Sequence, residues 1–352
     1  MKPAMQAWVG MALLASAAFG GDLMPPGAPA ATMKTLDQIE ARKPISSIPF
    51  TIGEPGSYYL TQDLGPGAEG LNGITIQANN VTIDLNGFTI TGPGKDSPGF
   101  GDGIVASMAN SNIMVFNGAV CGWPGTGINL ASPGTIIHHI RAQDNGTGIN
   151  GNASASVTDC ACQGNGTGIN YAGRIVNNIC STNAVGINAG GVITGNYCGG
   201  NTSAGIIGNL GSNVTENMCE NNGGDGIFAY GGATVTKNSC RGNQGDGIEV
   251  EYGTTVSGNN CSVNCEDGVQ AAGSCRITEN TCWLNGNEGD GAGIHVTNTG
   301  NTIQQNHCTQ NDRGLDVDSS NNYSCQNVLS NNTTAIAGTH TQGAGDLANV
   351  SF

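Results

Sequence analysis

One block, written twice in succession over 225–245 (DGIFAYGGATVTKNSCRGNQG) and 246–266 (DGIEVEYGTTVSGNNCSVNCE), limits what this chain can fold into more than any other feature. Each copy runs Asp-Gly-Ile, an alternating stretch, a Gly turn, a Val between hydroxylated residues, Asn, Cys and a polar turn. The opening glycine recurs as Gly103, Gly127, Gly148, Gly168, Gly186, Gly205, Gly226, Gly247, Gly268, Gly293 and Gly314, in nearly even steps that widen before Gly127 and Gly293. Self-similarity at that period means stacked units that bury their apolar faces against one another.

Aligned on that glycine, the chain sorts into columns. Ile104, Ile128, Ile149, Ile169, Ile187, Ile206, Ile227, Ile248, Val269, Ile294 and Leu315 follow the glycines, and Val214, Val235, Val256, Ile277 and Ile303 form a second apolar column. The third is cysteine: Cys121, Cys162, Cys180, Cys198, Cys219, Cys240, Cys261, Cys282 and Cys308, with Ala142 and Leu329 where cysteine is missing. Two residues before it stand Asn178, Asn196, Asn217, Asn238, Asn259, Asn280, Asn306 and Asn327. A unit of this length with three short strands and three turns cannot close as a hairpin meander. It closes as one coil of a parallel β-helix, each strand pairing with its equivalent one coil away, about 4.8 Å along the axis. An inward Asn at a tight bend then bonds up and down the stack, satisfying amides that the bend frees from the ladder.

Composition matters at two points. Glycine supplies 58 residues, aromatics are 5% and charged residues 11%; such a chain could be disordered, but its periodicity argues for a shared core. The net charge of −15, with 11 basic residues, lacks the basic footprint that phosphate recognition requires, so no nucleic-acid partner is expected. At the N-terminus, Lys2 precedes an apolar run over 8–19 that ends in small residues, which predicts an export signal over 1–20. The run is short for a spanning helix, so no transmembrane span is expected in the mature chain, a retained anchor being the alternative. A Pro/Ala-rich linker over 21–34 follows, then a capping-box helix over 35–43 that would close the open apolar end of a domain over 35–352. The expected location is secreted, periplasmic or cell-surface, and the expected state is a monomer.

Tyr58 to Leu60, Ile74 to Ile76, Val81 to Leu85 and Phe88 to Ile90 read as strands ahead of the regular repeats. The segments MKTLDQIEARKPI, IGEPGSYYLTQDL and NNVTIDLNGFTITG, with the repeats behind them, resemble the bacterial secreted right-handed parallel β-helix proteins of the pectin-lyase-like superfamily. The resemblance spans 33–352. It implies an all-β, single-stranded right-handed parallel β-helix, of about 11–12 coils on the repeat count, and in the superfamily's enzymes it implies sites on the outer face of the first strand. It implies no particular reaction, because one fold hosts many chemistries.

Nine of the thirteen cysteines occupy the inward column, where a free thiol acts as a small, soft core residue. A thiol ladder is therefore expected, with Cys160, Cys265, Cys275 and Cys325 outside it as the candidates for any disulfide or reactive thiol.

Function, if it lies anywhere, lies where the repeat deviates. Residues two and four after the glycine point outward. They are bland in early coils (Asn129, Asn150, Asn170, Asn188) and then become Phe228 and Tyr230, Glu249 and Glu251, Gln270, His295, Asp316 and Asp318. The long connection after Cys282 adds Trp283, Glu288 and Asp290, which are expected on the same side, with Trp283 facing out to stack on a sugar. These residues predict a polysaccharide-binding face with Phe228, Tyr230, Gln270, Trp283 and Arg313 as contacts. An enzyme is the alternative, a glycoside hydrolase or lyase using Glu249, Glu251, His295, Asp316 and Asp318, with His295 oriented by Asp316. A third reading is a structural rod, its exposed carboxylates serving solubility. Asp225, Asp246 and Asp267, stacked in register, would repel one another and form a candidate calcium site, the simpler alternative being hydrated Asp-Gly turns. Arg313 is the one basic side chain near this face, and the motifs of the superfamily's polygalacturonase-like hydrolases and alginate epimerases are missing, which shifts weight from enzyme to binding.

Overall fold

One coil shows how the repeat becomes structure. Ile227–Ala229, Thr234–Thr236 and Ser239–Arg241 are strands, each burying its central or outer positions in alternation. Gly232, at φ 70°, makes the turn between the first two, while Lys237, at φ 56°, and Gly242, at φ 65°, make the sharper corners. A left-handed residue breaks the strand hydrogen-bonding pattern, and the next residue at each of these two corners is an inward Asn. Asn238 donates its backbone N–H to Asn259 Oδ1 at 2.9 Å and its Nδ2 to Val214 O at 2.9 Å and Asn259 Oδ1 at 3.0 Å. Asn243 does the same at the other corner, toward Asn264 Oδ1 and Cys219 O. Each corner thus carries its own polar ladder inside an otherwise apolar interior.

The computed structural model describes residues 41–151, 155–286, 289 and 291–352. Across 42–352 the coils stack into a right-handed parallel β-helix of about 14 turns, and all described strand pairs are parallel. Three ladders run its length. Ladder A carries the isoleucine column: Ile206, Ile227, Ile248, Val269, Ile294 and Leu315 are successive register partners. Ladder B carries Ile193, Val214, Val235, Val256, Ile277 and Ile303. Ladder C carries the thiols. The residues of these columns are almost fully buried, and each isoleucine contributes about 1.5–3 kcal/mol by leaving water.

The helix is longer than the 11–12 coils expected, because coils exist where the marker glycine does not. Phe50–Ile52 pairs with Ile74–Ile76 ahead of the regular repeats, and Thr334–Gly338 adds a coil with Ala335 at the glycine position. The expected signal over 1–20 and linker over 21–34 lie outside the described residues. Of the expected helix over 35–43 only 41–43 are described, and there Lys43 already opens the strand Lys43–Ile45. Among the described residues no helix is long and apolar enough to cross a membrane.

All thirteen cysteines are free thiols. Eight form the ladder, from Cys162 to Cys308, one per coil and out of water. Cys121 is not among them. Val120 pairs with Ala142 in the inward column, and Cys121 pairs with Gln143 on the outward side, half-buried near Thr91. Counting back from Cys162 by cysteine spacing puts Cys121 inward, but the Ala142 coil hides a one-residue offset that reverses which way a strand residue points.

Candidate functional site

The outward row of ladder A changes character halfway along the helix. In the early coils it is self-satisfying: Asn170 Nδ2 donates to Asn150 Oδ1, Asn150 Nδ2 to Asn129 Oδ1, and Asn129 Nδ2 to Asp102 Oδ2, at 2.8–3.0 Å. From Phe228 the row becomes Phe228, Glu249, Gln270, His295 and Asp316, each the register partner of the next. Parallel pairing with no slip puts their side chains one rung apart in a single line.

Beneath this line lies a second one that fixes it. The residue before each repeat glycine is Asp225, Asp246 or Asp267 in successive coils. Each offers Oδ1 to the backbone N–H one coil further on: Asp246 N–H to Asp225 at 2.9 Å, Asp267 N–H to Asp246 at 2.7 Å, Ala292 N–H to Asp267 at 2.6 Å. Asp102 does likewise for Thr126. The other oxygen reaches the outward row. Asp246 Oδ2 accepts from Gln270 Nε2 at 2.8 Å, and Asp267 Oδ2 meets His295 Nδ1 at 2.8 Å. The three aspartates are therefore brackets rather than a hydrated turn series, and each aims a side chain of the following coil. Only the pair at the start of the row sets like against like, since the partner of Asp225 in this pattern is Glu249.

Electrostatics follow from that construction. Burial, reinforced by the Asp267 and Asp225 carboxylates on either side, pushes Asp246 up to about 9. Burial and the charge of Asp225, to which it is hydrogen-bonded, push Glu249 up to about 7. The hydrogen bond from Asp267 outweighs burial and raises His295 to about 9, with Asp316 and Asp318 adding to it, so the ring is a cation at neutral pH. Its Nε2 lies 3.4 Å from Asp318 Oδ2.

Several expected placements change. His295 is oriented by Asp267, not by its register partner Asp316, which is mostly buried and bound by Arg313. The expected calcium trio does not converge as a trio, because Asp267 spends both oxygens on Ala292 and His295. The groups whose ligand atoms lie within 4.8 Å of one another are Asp225, Asp246 and Glu249, and separately His295, Asp316 and Asp318. Trp283 sits on ladder C between Ser262 and Thr309, away from the ladder A row, with its indole N–H donated to Gln310 at 2.6 Å. Glu288 and Asp290 lie outside the described residues. Phe228 and Tyr230 are together as expected, ring centroids 4.9 Å apart and edge to face. Glu251, the register-equivalent of Tyr230 one coil on, stays half-exposed at the end of its strand. Glu266 carries no signal in the repeat pattern; burial and the charges of Asp225 and Asp267 raise it too, marking it as part of the same acidic group.

Comparison with known proteins adds the following. A family model described as periplasmic copper-binding protein (NosD) matches residues 230–345, about a third of the chain. No curated protein matches. Among solved structures, the periplasmic alginate epimerase AlgG is 11% identical over 81% of this chain and 79% of its own, with a TM-score of 0.54. The A-module of the Azotobacter vinelandii mannuronan C-5 epimerase AlgE4 is 14% identical over 85% of this chain and 91% of its own, at a TM-score of 0.47. The Dettilon tailspike protein is 17% identical over 85% of this chain, which spans 61% of the tailspike, at 0.45. At such identities the likeness is one of fold. Parallel ladders, inward columns and an outer strand face are all present, and the chain is a right-handed parallel β-helix protein with the pectin-lyase-like fold.

Proposed function

We propose that this is an exported protein that binds a polysaccharide chain laid along the outward row of ladder A, from Phe228 to Asp318. The observation that supports the reading best is the row itself. Over five coils of a scaffold that otherwise repeats its outward residues, an aromatic, a carboxyl, an amide, an imidazolium and a carboxylate stand in one in-register line. An extended polymer meets such a line one rung at a time. Phe228 and Tyr230 offer apolar ring surface to a pyranose, Gln270 and His295 offer hydrogen bonds, and the brackets beneath pre-orient the polar members. The −15 charge favours an uncharged glycan over a polyuronate. Export rests on the N-terminal apolar run, and the periplasmic description of the matched family agrees with it.

One observation favours a catalytic second reading. Glu249 is raised to about 7 and lies two coils from a cationic His295 held by Asp267, so the face holds a proton-donating carboxyl and a positioned acid. A metal-holding reading in the sense of the matched family's description would use His295, Asp316 and Asp318, but the Arg313 guanidinium already neutralises Asp316. The test is retention of the mature protein on a glycan array with and without calcium, beside its Q270A and H295A variants. Retention of wild type and loss in both variants is expected. No retained glycan in either condition would make the protein a structural rod. Products released from a polysaccharide panel by wild type but not by E249Q would establish the catalytic reading.

A further inference from the structure

The turn that follows the ladder A strands carries a second aromatic feature, outside the row and outside the residues that sequence patterning singles out. Leu210, Gly231, Tyr252 and Gly273 are equivalent positions on four successive coils. Large and absent side chains alternate, and the large ones use the space. A Cβ on Gly273 would lie 3.0–3.1 Å from the Tyr252 ring, so the ring rests where that glycine leaves room. The far end of the ring is fixed as well, because its hydroxyl accepts a hydrogen bond from Asn298 Nδ2 at 2.8 Å, two coils along. Asn298 is itself held by the bond from the Thr299 N–H to its Oδ1. Tyr252 is nevertheless 57% exposed and Leu210 78%. A hollow of about 410 Å³, lined by Asn209, Leu210 and Tyr230, opens one step away.

Large apolar side chains on a polar rod are ordinarily free to turn from water. Tyr252 is pinned at its edge and its tip with more than half its surface in solvent, which removes the ordering cost of binding a flat apolar ligand face. Tyr230 belongs both to the hollow and, through Phe228, to the ladder A row, so the two surfaces are continuous. We propose that Tyr252, positioned by Asn298, and the Leu210–Tyr230 hollow form a stacking subsite for an uncharged pyranose ring at which the glycan leaves the ladder A row and crosses the turn. This rests on the glycan-binding reading above and assigns it a subsite and a direction. Tyr252 would contact the sugar; Asn298 is a positioning residue that acts through the tyrosine.

The test is titration of hexasaccharides of β-1,4-linked glucose and of β-1,4-linked mannose into wild type, Y252A, N298A and H295A, with thermal midpoints measured in parallel. Loss of stacking lowers affinity about tenfold in Y252A, and N298A shows a smaller loss with an unchanged midpoint. Y252F removes the hydroxyl bond and should match N298A, a coincidence that a merely structural role would not produce. Wild-type affinity in Y252A together with a loss in H295A overturns the subsite and leaves the row intact. A loss in Y252A with none in H295A keeps the subsite and refutes the row. No binding of either sugar by wild type refutes both.

Discussion

Removing the side chain of Asn238 should damage this protein far more than its size suggests. Asn238 Oδ1 accepts two bonds from the coil before, from the backbone N–H of Asn217 at 2.9 Å and from Asn217 Nδ2 at 3.0 Å. Its Nδ2 gives two more, to Val214 O and Asn259 Oδ1. Asn238→Ala keeps only the bond from its own backbone N–H to Asn259 and strands the Asn217 N–H and one Asn217 amide hydrogen in a buried corner. At about 1–3 kcal/mol for each stranded donor, the loss is about 2–6 kcal/mol, before any cavity term. Asn238→Asp retains the acceptor and loses the donor, so its carboxyl is stable only when protonated; its penalty should be small in acid and grow as the pH rises above the ordinary Asp range. Urea denaturation supplies the total. Hydrogen exchange supplies the place, since loss of protection in a stack of nearest-neighbour units should centre on the coils of Asn217, Asn238 and Asn259. Asn260→Ala, an exposed strand position in a neighbouring coil, is the control. If N238A costs less than about 1 kcal/mol, or no more than N260A, the corner ladders do not hold the coils together as argued.

Two further outcomes follow from the same geometry. In native protein only the half-exposed Cys121 and Cys265 should react promptly with a thiol reagent, the remainder requiring denaturant; rapid native reaction of the whole set would refute the buried ladder. His295 is raised to about 9, so the stability it supplies is complete below about 6.5 and lost as the pH climbs through 9, and the raised Asp246 acts in the same direction. The thermal midpoint should therefore fall between pH 6.5 and 9 and fall less in H295Q, which keeps a donor to Asp267; a flat wild-type profile would contradict the Asp267–His295 pair.

Inward columns are readable because a repeat writes its core once per coil: Ile227, Val235 and Cys240 each have a like neighbour at the same place in the next coil. One Asn ladder is legible because it precedes the cysteines by two. The other, from Asn165 to Asn285, follows them by three and escapes a reading centred on the cysteines, although its spacing is as regular. The outward row is legible as a loss of repetition, but its supports are not. Asp267 reads as a turn residue because its partner, His295, is far along the chain, beyond the stretched connection after Cys282. A signal is nevertheless present in Asp102 and Asn129: an Asp before one repeat glycine and a polar side chain two after the next. Trp283 cannot be placed from the pattern because alternation tells in from out, not which of three outward sides a strand faces.

The corner asparagines also set a rule of arithmetic for changes in chain length. Each amide points one way along the axis, giving its hydrogens to the next coil and receiving from the one before, at a constant offset of one full coil through the middle of the molecule. Excising a single residue there shifts a corner out of line with both neighbours and turns a strand's inner face outward. Excising 205–225 whole joins Ala204 to Gly226, which takes the place of Gly205 and is followed by the same kind of coil. Losing an entire coil should therefore be gentler than losing one residue, and a lineage of such chains can lengthen or shorten its glycan track in whole coils without redesigning any of them.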